Sequence, residues 1–462
     1  MPIWFLYDAS KGILGVIPVL FAGAYTLALL VAIGLAFLIA PAVRYARFRY
    51  EIQGNTLVIE GGLFSRWRRV IPRERVQSVD VIQKLRHRAF GVLELRIEAV
   101  GGKQTEAALV AVLPEEADRI RRWASGGKEE PVHLAAEEMS PPLARLTGRD
   151  LLIAGVTGGR VAVLAILIGY AEQFLGDNSF DLVTGAAERL MPGASLIVFI
   201  FVLVLVVLAL ALLLSIALTI LTYWDFTVRL EDDRLVITRG LLEKRRAQIP
   251  LRRVQAIQVN ENFLRRAFDL ASLTVVVAGY SSESQEKEES SMLLPLARRD
   301  HAWRVATEIL GAPVELESAP LPRSPSRAVP RRIIFPSLFG VGAGVVATVL
   351  AGPLGAAGFA IVPLAWFLGW LSWRCSGHGV VPGYVLIRSG ALVRTTSIVP
   401  EANIQHHQLT WSILQKSFRL ATVNVHIPGT HRRAADLDEH EALRWFTLLG
   451  ERGEAGLTGG PG

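Results

Sequence analysis

Apolar and polar positions fall into two patterns along this chain: long unbroken apolar runs, and stretches where the two kinds alternate. Gly12–Val43, Leu190–Trp224 and Ile333–Trp373 hold no charged residue, and Leu151–Ala171 holds only Arg160. A helix needs about 20 apolar residues to cross hydrocarbon, so each run is long enough to span a membrane. Ile333–Trp373 is about two spans long, and "AGPLGAAG" (351–358) in its middle predicts a turn, hence a transmembrane hairpin over 333–373. Residues 150–223 read as a helix pair, about 151–171 and 195–223. Gly12–Val43 fits either one long helix or a tight hairpin.

Between the runs the period drops to two. "RFRYEIQG" and "NTLVIEGG" alternate as strands do and meet at Gly54-Asn55, a turn pair. "RWRRVIP", "RVQSVDVI", "VLELRIEAV" and "TEAALVAVL" continue an antiparallel meander of six or seven short strands. "PEEADRIRRW" (114–123) then starts a helix, with Pro at its first position and acids in its first turn.

The same unit occurs three times. "IPRERVQSV" (71–79) returns as "IPLRRVQAI" (249–257) and, altered, as "VPEANIQHH" (399–407). With Pro72, Pro250 and Pro400 in register, Gln77, Gln255 and Gln405 align five residues on. Gly62, Gly240 and Gly390 align ten before, and Phe90, Phe268 and Phe418 eighteen after. Helix-like segments "ARRDHAWRVATEIL" and "LDEHEALRWFTLL" close the second and third copies. So many gap-free coincidences mark a true internal repeat. The proline is expected to start a strand, where it need not donate a ladder bond. Val76, Val254 and Ile404 are expected in the core, the glutamine on a neighbouring loop, and the three phenylalanines as equivalent core residues.

A bent antiparallel sheet closed by one helix resembles the pleckstrin-homology (PH) fold. Joined to membrane spans and the phrase "IP-x-x-R-V-Q", the chain resembles the bacterial PH-domain membrane proteins of the YdbT type over nearly its whole length. The resemblance implies a multi-domain membrane protein, with transmembrane helices alternating with three PH-like β domains, each capped by a C-terminal helix. The expected order is a transmembrane segment at 12–43, domain one at 44–125 and a linker at 126–149. The span pair 150–223, domain two at 224–311, a Pro-rich linker at 312–332 and the hairpin 333–373 follow. Domain three at 374–450 and a disordered tail at 451–462 complete it. A role in cell-envelope stress or antimicrobial-peptide tolerance is implied by the resemblance alone.

Composition agrees with a membrane protein: 51% of the 462 residues are hydrophobic and only 20% charged, below the usual quarter. The lone Cys375 excludes an internal disulfide and a Cys-rich metal site, and no cleavable signal pattern is evident. The charge is nonetheless +7, and its placement predicts sidedness. An even number of spans separates neighbouring domains, so all three share one face. Loop 172–194 on the other face carries Glu172, Asp177, Asp181 and Glu188 against Arg189, whereas Arg44, Arg47, Arg49, Arg331 and Arg332 flank spans on the domain side. The positive-inside rule then expects a multi-pass plasma-membrane protein with cytoplasmic β domains.

Two arginine-rich clusters, Arg66, Arg68, Arg69, Arg73, Arg75 and Lys244, Arg245, Arg246, Arg252, Arg253, are candidate contacts for anionic phospholipid, each gaining about 1 kcal/mol near the surface. The third copy, with Ala402-Asn403 at the paired basic positions, is expected to bind weakly. Arg160 is a candidate intramembrane charge, with Gly155 and Gly159 at the small-xxx-small spacing. No aromatics interleave the basic runs, which argues against nucleic acid. "GVTGGR" lacks a phosphate-loop lysine, and G-x-S-x-G is absent. His406, His407, His426 and His431 are weakly spaced for a metal. The expected function is a non-enzymatic membrane scaffold without cofactor, with the lipid bilayer and another membrane protein as partners. A transporter or channel component is the alternative, disfavoured by spans lacking ionisable groups.

Overall fold

The computed structural model describes residues 31, 34–35, 47–62, 66–99, 107–126, 141–158, 179–193, 195–231, 233–277, 291–312 and 315–458. Arg160 lies outside them, as does nearly all of the 12–43 run.

Each repeat contributes six strands, a one-turn helix and a closing helix. The first has β1 (Arg49–Gln53), β2 (Thr56–Gly61), β3 (Trp67–Pro72), β4 (Val76–Lys84), helix α1 (Leu85–Ala89), β5 (Leu93–Ala99), β6 (Ala107–Val112) and helix α2 (Pro114–Ser125). A short strand β7 (Ala144–Arg145) and helices α3 (Gly148–Thr157), α4 (Ser179–Leu190) and α5 (Leu196–Tyr223) follow. The second repeat has β8 (Thr227–Glu231), β9 (Arg234–Arg239), β10 (Glu243–Pro250), β11 (Val254–Asn262), α6 (Phe263–Ala267), β12 (Leu270–Val277), β13 (Met292–Arg298) and α7 (Arg299–Leu310). Helices α8 (Ala328–Ala351) and α9 (Ile361–Cys375) come next, joined by a 3-10 helix over Gly352–Ala360. The third has β14 (Gly377–Val381), β15 (Tyr384–Ser389), β16 (Val393–Pro400), β17 (His406–Thr410), α10 (Ile413–Ser417), β18 (Leu420–Ile427), β19 (Thr430–Asp438) and α11 (Glu439–Thr458).

The chain divides into two compact units: residues 1–142 with 229–249, and residues 143–228 with 250–462. In the first unit, β1-β2-β3 form one meander and β4-β5-β6 the other. Leu57, Ile59 and Ile71 of the first bury against Val81, Leu93, Leu95, Ile97 and Leu109 of the second, with Ala117 and Ile120 of α2. Each large aliphatic side chain so buried contributes roughly 1.5–3 kcal/mol. The outer edge of β4 then accepts β10 of the next repeat, Lys84 opposite Glu243 and Val81 opposite Arg246.

The second unit repeats this plan. β11 pairs with β12 on one side and with β16 of the third repeat on the other, Ile257 opposite Ile398. The third repeat's core joins Val385, Ile387 and Val399 to Ala421, Val423, Val425 and to Ala442, Trp445 and Leu449 of α11. β17, β18 and β19 form a separate three-stranded sheet.

Three helices are long and apolar enough to cross a membrane, within Val198–Tyr223, Ala328–Leu350 and Gly355–Cys375. α8 and α9 pack closely: a Cβ on Gly369 would meet Ile333 at 2.8 Å, and one on Gly340 would meet Ile361 at 3.1 Å.

Several expectations need correction. The repeat proline ends a strand rather than starting one: Pro72, Pro250 and Pro400 are the last residues of β3, β10 and β16 and precede a 3-10 turn. Val254 is buried and Val76 and Ile404 pack against the cores, as expected. Gln255 bonds the carbonyl of Arg253 in its own turn at 3.2 Å, not a neighbouring loop. Residues 126–149 are not only linker, because β7 pairs with Thr227–Val228 and Thr147 caps α3. The 172–194 loop contains α4, and the supposed tail from 451 is helical to Thr458. The Pro-rich segment lies on the third repeat: Pro322 accepts from the His378 amide at 3.1 Å, and Ser324 from Trp373 Nε1 at 2.8 Å.

Candidate functional site

The repeat phenylalanines were expected in the core. Instead Phe268 is 69% exposed, and Phe90 and Phe418 are half-buried. They end α1, α6 and α10, the one-turn helices that follow β4, β11 and β17. The first residue of each of these helices is apolar and exposed too: Leu85, Phe263 and, at 86%, Ile413.

Strand pairing adds a second row to this apolar edge. Lys84 faces Glu243, so the next residues outward, Leu85 and Leu242, leave the sheet side by side, and both are exposed. In the second unit Asn262 faces Val393, so Phe263 leaves beside Leu392, and Phe263, Leu392 and Val393 are all exposed. Each junction between repeats thus ends in an apolar rim. Arg88, Lys416 and Arg419 stand exposed on the same one-turn helices or just after them. Apolar tips among basic side chains are the chemistry of a bilayer interface.

In the second unit this rim is clamped to the spans. Asn262 caps α6, accepting from the Arg265 amide at 2.8 Å, and its side-chain amide donates to the carbonyl of Thr157 at the end of α3. Arg265 is buried and gives Nε–H to Thr157 Oγ1 at 3.2 Å; desolvation pulls its pKa down to about 10. Arg266 donates to Cys375 Sγ at 2.9 Å, at the end of α9. α10 is held likewise. Gln415 donates to Asp436 Oδ1 at 3.0 Å, and Asp436 accepts from Arg331 and Arg332 in the first turns of α8.

The depth of the rim follows from helix length. α5 has 28 residues, roughly 42 Å at 1.5 Å each, against a hydrocarbon core of about 30 Å. Its first two-thirds expose most side chains, with Phe199 and Ala211 buried, whereas Ser215, Thr219 and Tyr223, spaced by four, are buried in the last third. A core measured from Leu196 ends near Ser215, whose hydroxyl donates to the Gly155 carbonyl at 3.0 Å. Thr157 is two residues on, so α6 lies level with that part of α5.

This geometry divides the basic clusters. Arg66, Arg68 and Arg69 on and just before β3, and Lys244, Arg245 and Arg246 on β10, lie toward the rim. Arg73, Arg75, Arg252 and Arg253 lie in or at the 3-10 turns before β4 and β11. Nine strand residues separate those turns from the rim, roughly 30 Å at 3.3 Å each. Exposed charges are screened over about 10 Å at 0.1 M salt, so the turn arginines and the rim are electrostatically separate. Of the rim-side residues, Arg68 pairs with Glu60 at 3.2 Å and Arg69 lies over the Trp67 ring. Arg245 and Arg246 are mostly buried against Glu243 and Glu231, at 2.6 and 3.4 Å.

His406, His426 and His431 stack across three strands, with ring centroids 4.1 and 5.4 Å apart, while His407 turns to the Phe446 carbonyl. Among the described residues no group of His, Cys, Asp and Glu is arranged to hold a metal. Asn403, which replaces a basic residue in the third copy, donates to the carbonyls of Val254 and Gln255 at 3.0 and 3.2 Å. It fastens two repeats.

A family model described as "Bacterial PH domain" matches residues 12–128, 160–312 and 334–452. Each match runs from an apolar stretch through the strands to the closing helix, so the repeating unit includes an apolar stretch. The chain is 27% identical over 449 residues to the UPF0699 transmembrane protein YdbT of Bacillus subtilis (strain 168), covering 90% of this chain and 89% of that protein. It is also 32% identical over 83 residues to the UPF0699 transmembrane protein YdbS of the same organism, covering 18% of this chain and 50% of YdbS.

Proposed function

The chain belongs to the bacterial PH domain family, as a membrane protein with three copies of the domain, and on that premise we propose that it is a non-enzymatic membrane scaffold. Its repeats rest on one leaflet through their apolar rims and nearby basic side chains, and they present their remaining surface to protein partners. The observation that carries this reading is the repeated rim: exposed Leu85 with Leu242, Phe263 with Leu392, and Ile413, all on turns of the same kind. The exposed arginines nearest it, Arg66, Arg68 and Arg69, are the better candidates for anionic phospholipid, while the turn arginines Arg73, Arg75, Arg252 and Arg253 serve partners away from the membrane. Among the described residues the charged groups in α5, α8 and α9 are Arg331, Arg332 and Arg374, all close to helix ends, which supports a scaffold over a transport path.

Depth measurement tests the rim. Single cysteines replacing Phe263, Leu392 or Ile413, in a Cys375→Ser background, are spin-labelled in lipid bilayers, with Arg252→Cys as the distant control. Labels at the three rim positions should meet oxygen more than a water-soluble nickel complex, and the Arg252 label the reverse. Rim labels as aqueous as the control would sink the reading.

Orientation is also part of the proposal: the three repeats lie on the cytoplasmic side of a multi-pass protein, from span parity and the acidic 172–194 segment. In intact cells an impermeant maleimide should label Glu188→Cys and spare Arg252→Cys until the membrane is opened. The opposite pattern inverts the topology.

A further inference from the structure

We infer that the chain associates head to tail with a second copy of itself, β17 of one copy adding to β3 of the next in the register that already joins repeats within each chain. β4 and β11 each have two partners, one in their own repeat and one in the next. Their equivalent in the third repeat, β17, pairs among the described residues with β18 alone. Conversely β10 and β16 are each paired on both edges, while their equivalent β3 pairs, among the described residues, only with β2. Among the described residues, one open edge of each kind therefore remains per chain.

The register is the same at both internal junctions. Val81, nine residues after Pro72, faces Arg246, four before Pro250. Val259, nine after Pro250, faces Thr396, four before Pro400. Carried to the open edges, this sets Leu409 opposite Arg68, His407 opposite Val70 and Thr410 opposite Trp67.

The side chains at these edges carry the mark of a missing neighbour. Ile257 and Ile398, opposite each other at the second junction, are both fully buried. Val70 stands at the position of Ile398 and is 50% exposed on a strand edge. Trp67 and Trp411 are exposed as well. Where the internal junction sets Glu261 against Arg394, held by two bonds of 2.8 Å, the same register sets Trp411 against Arg66, a cation–π pairing. The strands are also shorter where the second partner is lacking: β17 has five residues against nine in β4 and β11.

A contact between two different patches is heterologous, so it repeats into a ring or an open row rather than closing as a two-fold dimer. The register also keeps the α10 end of β17 at the start of β3, as at the internal junctions. Both copies then turn their rims to the same leaflet, which rests on the proposed function above.

Cross-linking in native membranes tests this. Two differently tagged full-length copies, each with Cys375→Ser, carry Val70→Cys and His407→Cys respectively. Directly opposed antiparallel residues have Cα atoms about 4.5–5.5 Å apart, within disulfide range. Oxidation should give a product carrying both tags, at least fivefold more than Val70→Cys with Leu409→Cys, and a chain bearing both cysteines should give a ladder of multimers. No two-tag product from variants that insert and melt normally overturns the inference. So does equal yield from the off-register pair, which would mean random collision. A double variant that cross-links only within one chain would mean that the edges meet in cis, which also overturns it. These outcomes are independent of rim depth, so failure here leaves the proposed function standing.

Discussion

Asp436→Asn should destabilise the third repeat by about 3–5 kcal/mol, the usual consequence of leaving buried charges without their partner. Asp436 is fully buried in β19. Its carboxylate accepts from Arg331 Nη2 at 2.6 Å, Arg332 Nε at 2.9 Å and Gln415 Nε2 at 3.0 Å, and Arg332 also donates to Ser372 at 3.1 Å. One side chain thus joins β19, α10, α8 and, through Arg332, α9. Burial pushes its pKa up, but the hydrogen bonds from Arg331 and Gln415 and the charges of Arg331 and Arg332 outweigh that, so the net shift is down. Asparagine keeps the shape and tolerates the left-handed backbone (φ +62°), so the loss reports charge rather than strain. Asp438→Asn, which removes a half-exposed partner of Arg327, should cost under about 1 kcal/mol. Melting of the detergent-solubilised protein compares the two; equal shifts would mean that the buried network does not hold the repeat to its spans.

Acid should weaken the same repeat in two stages. His378 is buried, and desolvation lowers its pKa to about 4, against the carbonyl of Ala435 and the charge of Asp436, which favour the proton. The unfolded chain takes up that proton near the ordinary value of 6.5. Stability from the neutral ring is therefore full above 6.5 and lost between 6.5 and about 4, by roughly 3 kcal/mol. The contribution of Asp436, whose pKa is depressed, persists above 3.8 and disappears only below it.

Gly390→Ala should cost about 3 kcal/mol or more and free the turn that carries Leu392. Gly390 has φ +103°, and a Cβ there would lie 1.9 Å from the carbonyl oxygen of Val393. That atom is backbone held in β16, so it cannot rotate away, and the left-handed conformation adds about 1–3 kcal/mol of strain. Gly383→Ala is the control: its φ is +82° but open space surrounds the added methyl, so only the conformational part remains. Thermal melting should rank Gly390→Ala well below Gly383→Ala. Similar melting would mean that the turn relaxes around the methyl and that the glycine is not required there. Gly240 has the same geometry, with φ +106° and 2.0 Å to Glu243 O, which is why the repeat keeps glycine ten residues before its proline.

The sequence alone determined the three repeats, their pattern of six or seven short strands followed by a helix, and the apolar runs. All of these follow from local periodicity: alternation across a pleat, a proline at a helix start, and about 20 residues without charge. It determined too that Phe90, Phe268 and Phe418 are equivalent, though not what surrounds them. A core position and an exposed apolar tip can carry the same side chain, so only the tertiary structure distinguishes the two. The tertiary structure alone decided how the repeats join. β4 with β10 and β11 with β16 are matched mainly by backbone amides and carbonyls, which every residue but proline carries, so the pairing leaves little trace in side-chain type. The division of the basic clusters was equally invisible: Arg69 and Arg73 are four apart in sequence, but β3 runs away from the rim, and the length of β4 carries the turn arginines about 30 Å from it.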